Sequence, residues 1–147
     1  MNARTKGEGC TFCKIGSHEL PAVVVKEDED VLAIMDLYPA STGHILVMPK
    51  LHVEDIYSLP PELGARIMVM AIAVARSIKE TLSPMGLNLL QSNGVEAGQT
   101  IPHFHLHIVP RYQHDSVLLR FGHGNVPAQI DELERVASLI RSGLRSK

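Results

Sequence analysis

The chain has 147 residues, 45% of them hydrophobic and 20% charged, enough to bury one core and too few for several domains. Fourteen Lys and Arg against sixteen Asp and Glu leave a net charge of -2, which excludes the broad basic field of a general nucleic-acid or anionic-membrane binder. No run reaches the ~20 apolar residues of a membrane span, the opening MNARTKGEGC carries no apolar export segment, and the scarcity of aromatic rings leaves few platforms for single-stranded nucleic acid, so a cytoplasmic protein is expected.

The two cysteines, Cys10 and Cys13, come first. In a reducing compartment this spacing favours metal or redox chemistry over a structural disulfide. Ala22 to Val25 and Val31 to Met35 read as a hairpin around the acidic run Glu27 to Asp30, which is expected to be a solvated tip. His44 to Met48 is a third strand, closed by Pro49. From Pro60 to Leu82 the apolar residues recur at spacings of three and four, which predicts a long helix. Met68, Val69 and Ile72 widen its apolar surface beyond one stripe, as burial in the monomer or against a second subunit would each require. Strands are expected at Leu87 to Ser92 and His103 to Val109, joined by the loop Asn93 to Pro102, and a second amphipathic helix at Pro127 to Leu144. Strands and helices that do not alternate strictly point to an α+β fold.

The chemistry concentrates in His103-Phe104-His105-Leu106-His107-Ile108-Val109, where histidines alternate with apolar residues. On a strand the imidazoles share one face at intervals of about 7 Å, opposite Phe104, Leu106 and Ile108. Three ionisable rings in a row carry a cost that packing does not repay, so the row marks a functional site. It reads in two ways. Two of the histidines can ligate a catalytic zinc, or a neutral middle imidazole can attack phosphorus and split one hard displacement into two easier ones.

The stretch HFHLHIV resembles the signature of the histidine triad family of nucleotide hydrolases and transferases. GHILVMPKLHVEDIYSL resembles the family's Gly-His-x-Leu-Val-x-Pro-Lys-x-His block, and CTFCKI the Cys-x-x-Cys opening of its zinc-carrying bacterial branch. The likeness runs over residues 10 to 111, the core of a single domain over 1 to 147 whose tail, 112 to 147, varies between branches. It implies a five-stranded antiparallel sheet with a long helix, continued across a homodimer. It further implies that His105 attacks the α-phosphorus of a nucleoside 5′-phosphate derivative, a purine nucleotide of adenosine type. The leaving group would be that of a phosphoramidate, an acyl-nucleotide or a dinucleoside polyphosphate.

Around that nucleophile, Gln99, Thr100, His107 and the Gly98 loop are candidate donors to the α-phosphate, with Gln99 and His107 counted among the catalytic residues. The resemblance places Asp36 at the ribose hydroxyls and Asn88 and Asn93 near ribose and phosphate. It also implies a structural zinc held by Cys10, Cys13, His52 and His103, a Cys₂His₂ set that suits the metal and leaves no open position. His44 either supports the triad strand by a hydrogen bond or is an ordinary strand residue. His18, His114 and His123 read as solvated. The competing functions are a nucleotide-binding regulatory or interaction protein with little turnover and a hydrolase that uses the histidine row to hold a catalytic zinc.

Overall fold

A computed structural model of the chain describes residues 7–117 and 126–145. The elements in order are α1 (Thr11–Gly16), β1 (Val24–Glu27), β2 (Val31–Met35), β3 (Ile45–Pro49), α2 (Pro61–Leu82), β4 (Gly86–Leu90), β5 (Leu106–Arg111) and α3 (Ile130–Arg145), with a short 3₁₀ turn at Val95–Ala97 before β5. The five strands form one antiparallel sheet in the order β1-β2-β3-β5-β4. This is the α+β architecture expected from the unalternated strand and helix pattern.

Pleat alternation divides the sheet into two faces. Val31, Ala33, Met35, Ile45, Val47, Leu106 and Ile108 join Phe104 in a core against α2 and α3. Leu32, Ile34, Leu46 and Met48 point the other way and gather around Phe12 of α1. Residues two apart share a face, so Asp36 follows Ile34, and His44 precedes Leu46, on this α1 side. There they meet His107, which is paired with Leu46. The sheet thereby collects polar groups from three strands on the face that α1 covers among the described residues.

Several boundaries differ from expectation. The ladder of β5 starts at Leu106 rather than His103, because β3 ends at Pro49 and the Phe104 N–H goes instead to the Val53 carbonyl at 2.6 Å. β1 begins two residues late, at Val24, with a register shift before Lys26. The acidic tip is tied down as well as wet: Asp28 Oδ1 accepts from the Asp30 and Val31 amides at 2.9 and 2.8 Å, an Asx turn. Glu27 pairs with Lys50 at 2.6 Å and with His18 at 2.9 Å, and Asp30 pairs with Arg66. His18 is thus hydrogen-bonded to Glu27 as well as solvated, His114 is exposed, and His123 lies outside the described residues.

On α2, Ile67, Met70, Ala71, Val74 and Ile78 are buried against the sheet and α3. Met68, Val69 and Ile72 remain 43%, 69% and 43% exposed, so the second apolar face is not explained by burial against the described residues. Among the described residues no helix is long and apolar enough to cross a membrane.

Candidate active site

The three triad histidines are all buried. Burial pushes each imidazole below its ordinary range, His103 to about 4 and His107 to about 3, with His105 moved the same way. Near neutral pH the rings therefore carry one proton each, and their hydrogen-bond partners decide which nitrogen holds it.

His105 donates Nδ1–H to the His103 carbonyl at 2.7 Å, which leaves its lone pair on Nε2. His103 donates Nε2–H to the Pro49 carbonyl at 2.8 Å, which leaves its lone pair on Nδ1, facing the cysteines. His44 accepts the Ala40 amide on Nδ1 at 2.9 Å, so it must carry its proton on Nε2, where it donates to His107 Nδ1 at 2.9 Å. His107 consequently holds its own proton on Nε2. Neighbouring rings in the row thus present opposite chemistry from the same atom, a lone pair at His105 and a donor at His107, with ring centroids 4.9 Å apart.

The loop behind His44 is pinned to the end of β5. Ser41 Oγ–H donates to the Pro110 carbonyl at 2.6 Å and the Tyr112 hydroxyl to the Thr42 carbonyl at 2.7 Å. Gly43, at φ +89, turns the chain where a Cβ would lie 2.6 Å from Leu82, so a side chain is excluded on both counts. Asp36 Oδ2 stands 3.3 Å from His44 Nε2, and burial pushes this carboxyl up to about 6 even though the Tyr38 amide donates to it at 2.8 Å.

His105 and His107 open onto a cavity of about 580 Å³, a size suited to a nucleotide or similar ligand. Thr11, Phe12 and Ile15 of α1 form one wall, Ile34, Met35, Asp36, Leu37 and Tyr38 another, and Thr100 with Ile101 the rim. Ile130, Leu133 and Glu134 of α3 complete it. Of the expected substrate residues the structure thus brings Asp36, Thr100 and His107 to the cavity.

It does not bring Gln99, Asn88 or Asn93 there. Gln99 accepts the Gly94 amide and donates to the Glu54 and Ile101 carbonyls, bracing the loop from inside. Asn93 accepts the Ile56 amide and exchanges hydrogen bonds with Gln91. Asn88 shares the site's face of the sheet but sits opposite Val109 and accepts from Arg111 at 3.0 Å. Amides in such loops satisfy buried backbone groups first, and composition alone does not show which groups those are.

Beside the triad, Cys10 Sγ, Cys13 Sγ, His52 Nδ1 and His103 Nδ1 all lie within 4.8 Å of one another. The sulfur–nitrogen separations are 3.4, 3.2 and 3.5 Å, against about 3.5 Å for the edge of a tetrahedral zinc site with ordinary bond lengths. Burial, then the hydrogen bond and charge of Cys10, pushes the Cys13 thiol up to about 12. Two facing sulfurs of this kind ionise together only beside a cation. The donor set fits zinc. The triad itself does not converge on one metal, since His103 faces the cysteines while the Nδ1 atoms of His105 and His107 are committed to a carbonyl and to His44.

A model of the HIT domain matches residues 17–114. The chain belongs to the HIT family. It is 44% identical to the protein hit of Bacillus subtilis over 105 residues, 71% of this chain and 72% of that protein. A zinc-bound histidine triad family protein from Mycobacterium smegmatis superposes with a TM-score of 0.82 at 35% identity, covering 95% of this chain and 96% of that one. An adenylylsulfatase from Arabidopsis thaliana is 36% identical over 115 residues, 78% of this chain and 58% of that protein.

Three features of this HIT site escape a reading of the sequence. Phe12 packs edge-on against His105 and His103, with centroids 5.1 and 5.8 Å away; the Cys-x-x-Cys spacing marks its neighbours but not the ring between them. The Ala40 amide, a backbone group, sets the tautomer of His44. The α3 wall of the cavity comes from an amphipathic helix whose apolar periodicity is legible but whose docking place is not.

Proposed function

We propose that the chain is a hydrolase that attacks the α-phosphorus of nucleoside 5′-phosphate derivatives through a nucleotidyl-His105 intermediate. The observation that carries this reading is the hydrogen bond from His105 Nδ1–H to the His103 carbonyl at 2.7 Å, which orients a neutral imidazole with its lone pair on Nε2. In the first step Nε2 forms a bond to phosphorus, and the bond to the leaving group breaks with its electron pair. The charge gained by the ring is met at Nδ1–H by the His103 carbonyl. In the second step a water oxygen replaces Nε2 on phosphorus and returns the electron pair to His105. Over the two steps the water supplies hydroxide to phosphorus and a proton to the leaving atom.

His107 Nε2–H donates to the phosphoryl oxygen or the leaving atom, a preorganised donor of the kind that stabilises developing charge. Asp36, at the end of β2 in the cavity wall, accepts the ribose hydroxyls, and Thr100 at the rim donates to phosphate. Gln99 and Asn93 act from behind, holding the Gly94–Thr100 loop in shape, and Asn88 steadies the strand end through Arg111. The apolar lining suits a purine of adenosine type. Zinc bound by Cys10, Cys13, His52 and His103 supplies a structural tie between the amino-terminal arm and the sheet, with four protein ligands and no open position. The exposed face of α2 and the edge strand β4, where Leu89 is also exposed, pair two chains into a homodimer. The adenylylsulfatase relative supports chemistry at a nucleoside-linked phosphorus.

The test is His105→Asn with adenosine 5′-phosphoramidate and a dinucleoside polyphosphate as substrates. Nucleotide binding should persist while kcat falls by several orders of magnitude, since the lost bond forms only along the reaction path. Quenched wild type given substrate labelled at the α-phosphate should carry acid-labile, base-stable label. Substantial turnover by the variant, or label on another residue, would remove His105 from this role.

A further inference from the structure

The proposed nucleophile and the Cys₂His₂ centre meet at more than one point. Cys10 and Cys13 are i and i+3 on α1, with Cys10 as its N-cap, and Phe12 between them is the buried residue of that helix. The Phe12 ring meets His105 edge-on at 5.1 Å and 75°, and His103 at 5.8 Å and 88°. Thr11 and Ile15, on either side of it in the helix, line the same cavity. A helix of six residues is too short to hold its own place, because nucleation costs more than so few hydrogen bonds return. Its position is therefore set by what its two faces touch. One face carries the metal-ligating sulfurs, and the other carries a wall of the cavity and the ring that backs His105.

We propose that Phe12 is a positioning residue through which the metal centre holds the His105 ring and the cavity wall, so that metal affinity and nucleotide affinity are coupled. The proposal rests on the nucleotide reading of the cavity. The rotation of the His105 ring about its side-chain bonds is limited at Nδ1 by the His103 carbonyl and at its flank by Phe12. Holding α1 through its two sulfurs, with His52 and His103 completing the ligand set, fixes that flank before nucleotide arrives. The ordering cost is then already met, which is the thermodynamic content of coupling between two sites. Linkage requires the effect to run both ways: bound nucleotide must retain the metal by the same factor by which the metal strengthens nucleotide binding.

The experiment is a two-by-two cycle with adenosine 5′-monophosphate as the probe, read by calorimetry, on wild type and Phe12→Ala, each with zinc and after its removal by dipicolinate. Elemental analysis gives the zinc content of each sample and circular dichroism confirms the fold. In wild type, zinc removal should weaken binding about tenfold, within the usual range of coupling. In Phe12→Ala the zinc-loaded protein should already bind weakly, and zinc removal should change its affinity by less than about threefold. If the stripped protein unfolds, the reciprocal measurement replaces it: saturating nucleotide should lower the equilibrium transfer of zinc to a chromogenic chelator in wild type and not in Phe12→Ala. A second variant, Phe12→Leu, restores apolar volume without the flat ring; it should recover the melting temperature and the cavity wall, so that KM stays near wild type while kcat falls below it.

Equal nucleotide affinity with and without zinc, full coupling in Phe12→Ala, absence of zinc from the purified protein, or wild-type kcat in Phe12→Leu would each overturn the proposal. Failure of wild type to bind the monophosphate at all would remove the nucleotide reading and this proposal with it, whereas binding that ignores zinc removes the proposal alone.

Discussion

His44 is the residue whose replacement tests the tautomer argument most directly. Its Nδ1 is occupied by the Ala40 amide at 2.9 Å and its Nε2–H reaches His107 Nδ1 at 2.9 Å. In His44→Phe a ring of similar size fills the space, but His107 loses this donor and the Ala40 N–H loses this acceptor. A lost partner costs a buried polar group about 1–3 kcal/mol, and the Ala40 N–H is only half-buried, so the variant should lose about 2–5 kcal/mol of stability. For a chain of this length that is a fall in Tm of roughly 4–20 °C. The catalytic effect is separate. Without the His44 proton at Nδ1, His107 can carry its own proton on either nitrogen, and its donor to the reacting phosphate is no longer preorganised. Loss of one such donor costs about 10²–10³ in kcat.

His44→Gln offers the control, because the glutamine Nε2 reaches nearly the same point as the imidazole Nε2 and can still donate to His107. The expected order of kcat is wild type, then Gln, then Phe, measured with adenosine 5′-phosphoramidate at pH 7.5, with KM moving by less than threefold. Equal kcat for the Gln and Phe variants, or kcat within threefold of wild type for Phe while His105→Asn is inactive, would refute a role for His44 in fixing His107.

Three further outcomes rest on the same structure. Burial pushes His44 down to about 4 and His107 to about 3, so below pH ~6.5 the unfolded chain takes up protons that the folded one refuses and stability is lost on acidification. Asp36, which burial raises to about 6, works the other way, with a contribution that is full below pH ~4 and lost as pH rises through 6. Two imidazoles outweigh one carboxyl, so Tm should fall between pH 6.5 and 4 and fall more steeply in Asp36→Asn; a shallower slope in that variant would contradict the sign. Gly143→Ala should destabilise by up to about 2 kcal/mol, as crowding of about 1–3 kcal/mol outweighs most or all of the helix-propensity gain of about 1. The added Cβ meets Ser77 Oγ and comes within 2.9 Å of Thr81, so Ser77→Ala should recover part of the loss in a urea titration. Sedimentation at micromolar concentration should give twice 16.1 kDa, and exchange of Val69 for Lys on the exposed face of α2 should shift it to the monomer; a wild-type monomer would defeat the homodimer.

What could be read from the sequence, and what could not, divides along a physical line. Periodicity reports which side of an element is apolar, and so it located α2 and α3, the buried strand Val31–Met35 and the alternation of Phe104, Leu106 and Ile108 against the three imidazoles. Cys10, Cys13, His52 and His103 could be grouped only through the family resemblance, since 39 residues separate Cys13 from His52 and no local signal spans that distance. Polar side chains were harder to place for a different reason. Gln99, Asn93 and Thr100 have similar sequence surroundings, yet only Thr100 lines the cavity. The other two meet backbone groups that a compact loop would otherwise bury without partners, such as the Gly94 and Ile56 amides. Which amide serves a loop and which serves a ligand is settled by where neighbouring carbonyls and N–H groups fall in space. The tautomer of His44 is settled in the same way, by an alanine amide that any residue except proline would supply at that position. Substitutions at Ala40 that keep the N–H should therefore leave the triad intact, whereas Ala40→Pro should reproduce the kcat loss of His44→Phe without removing a side chain that touches substrate.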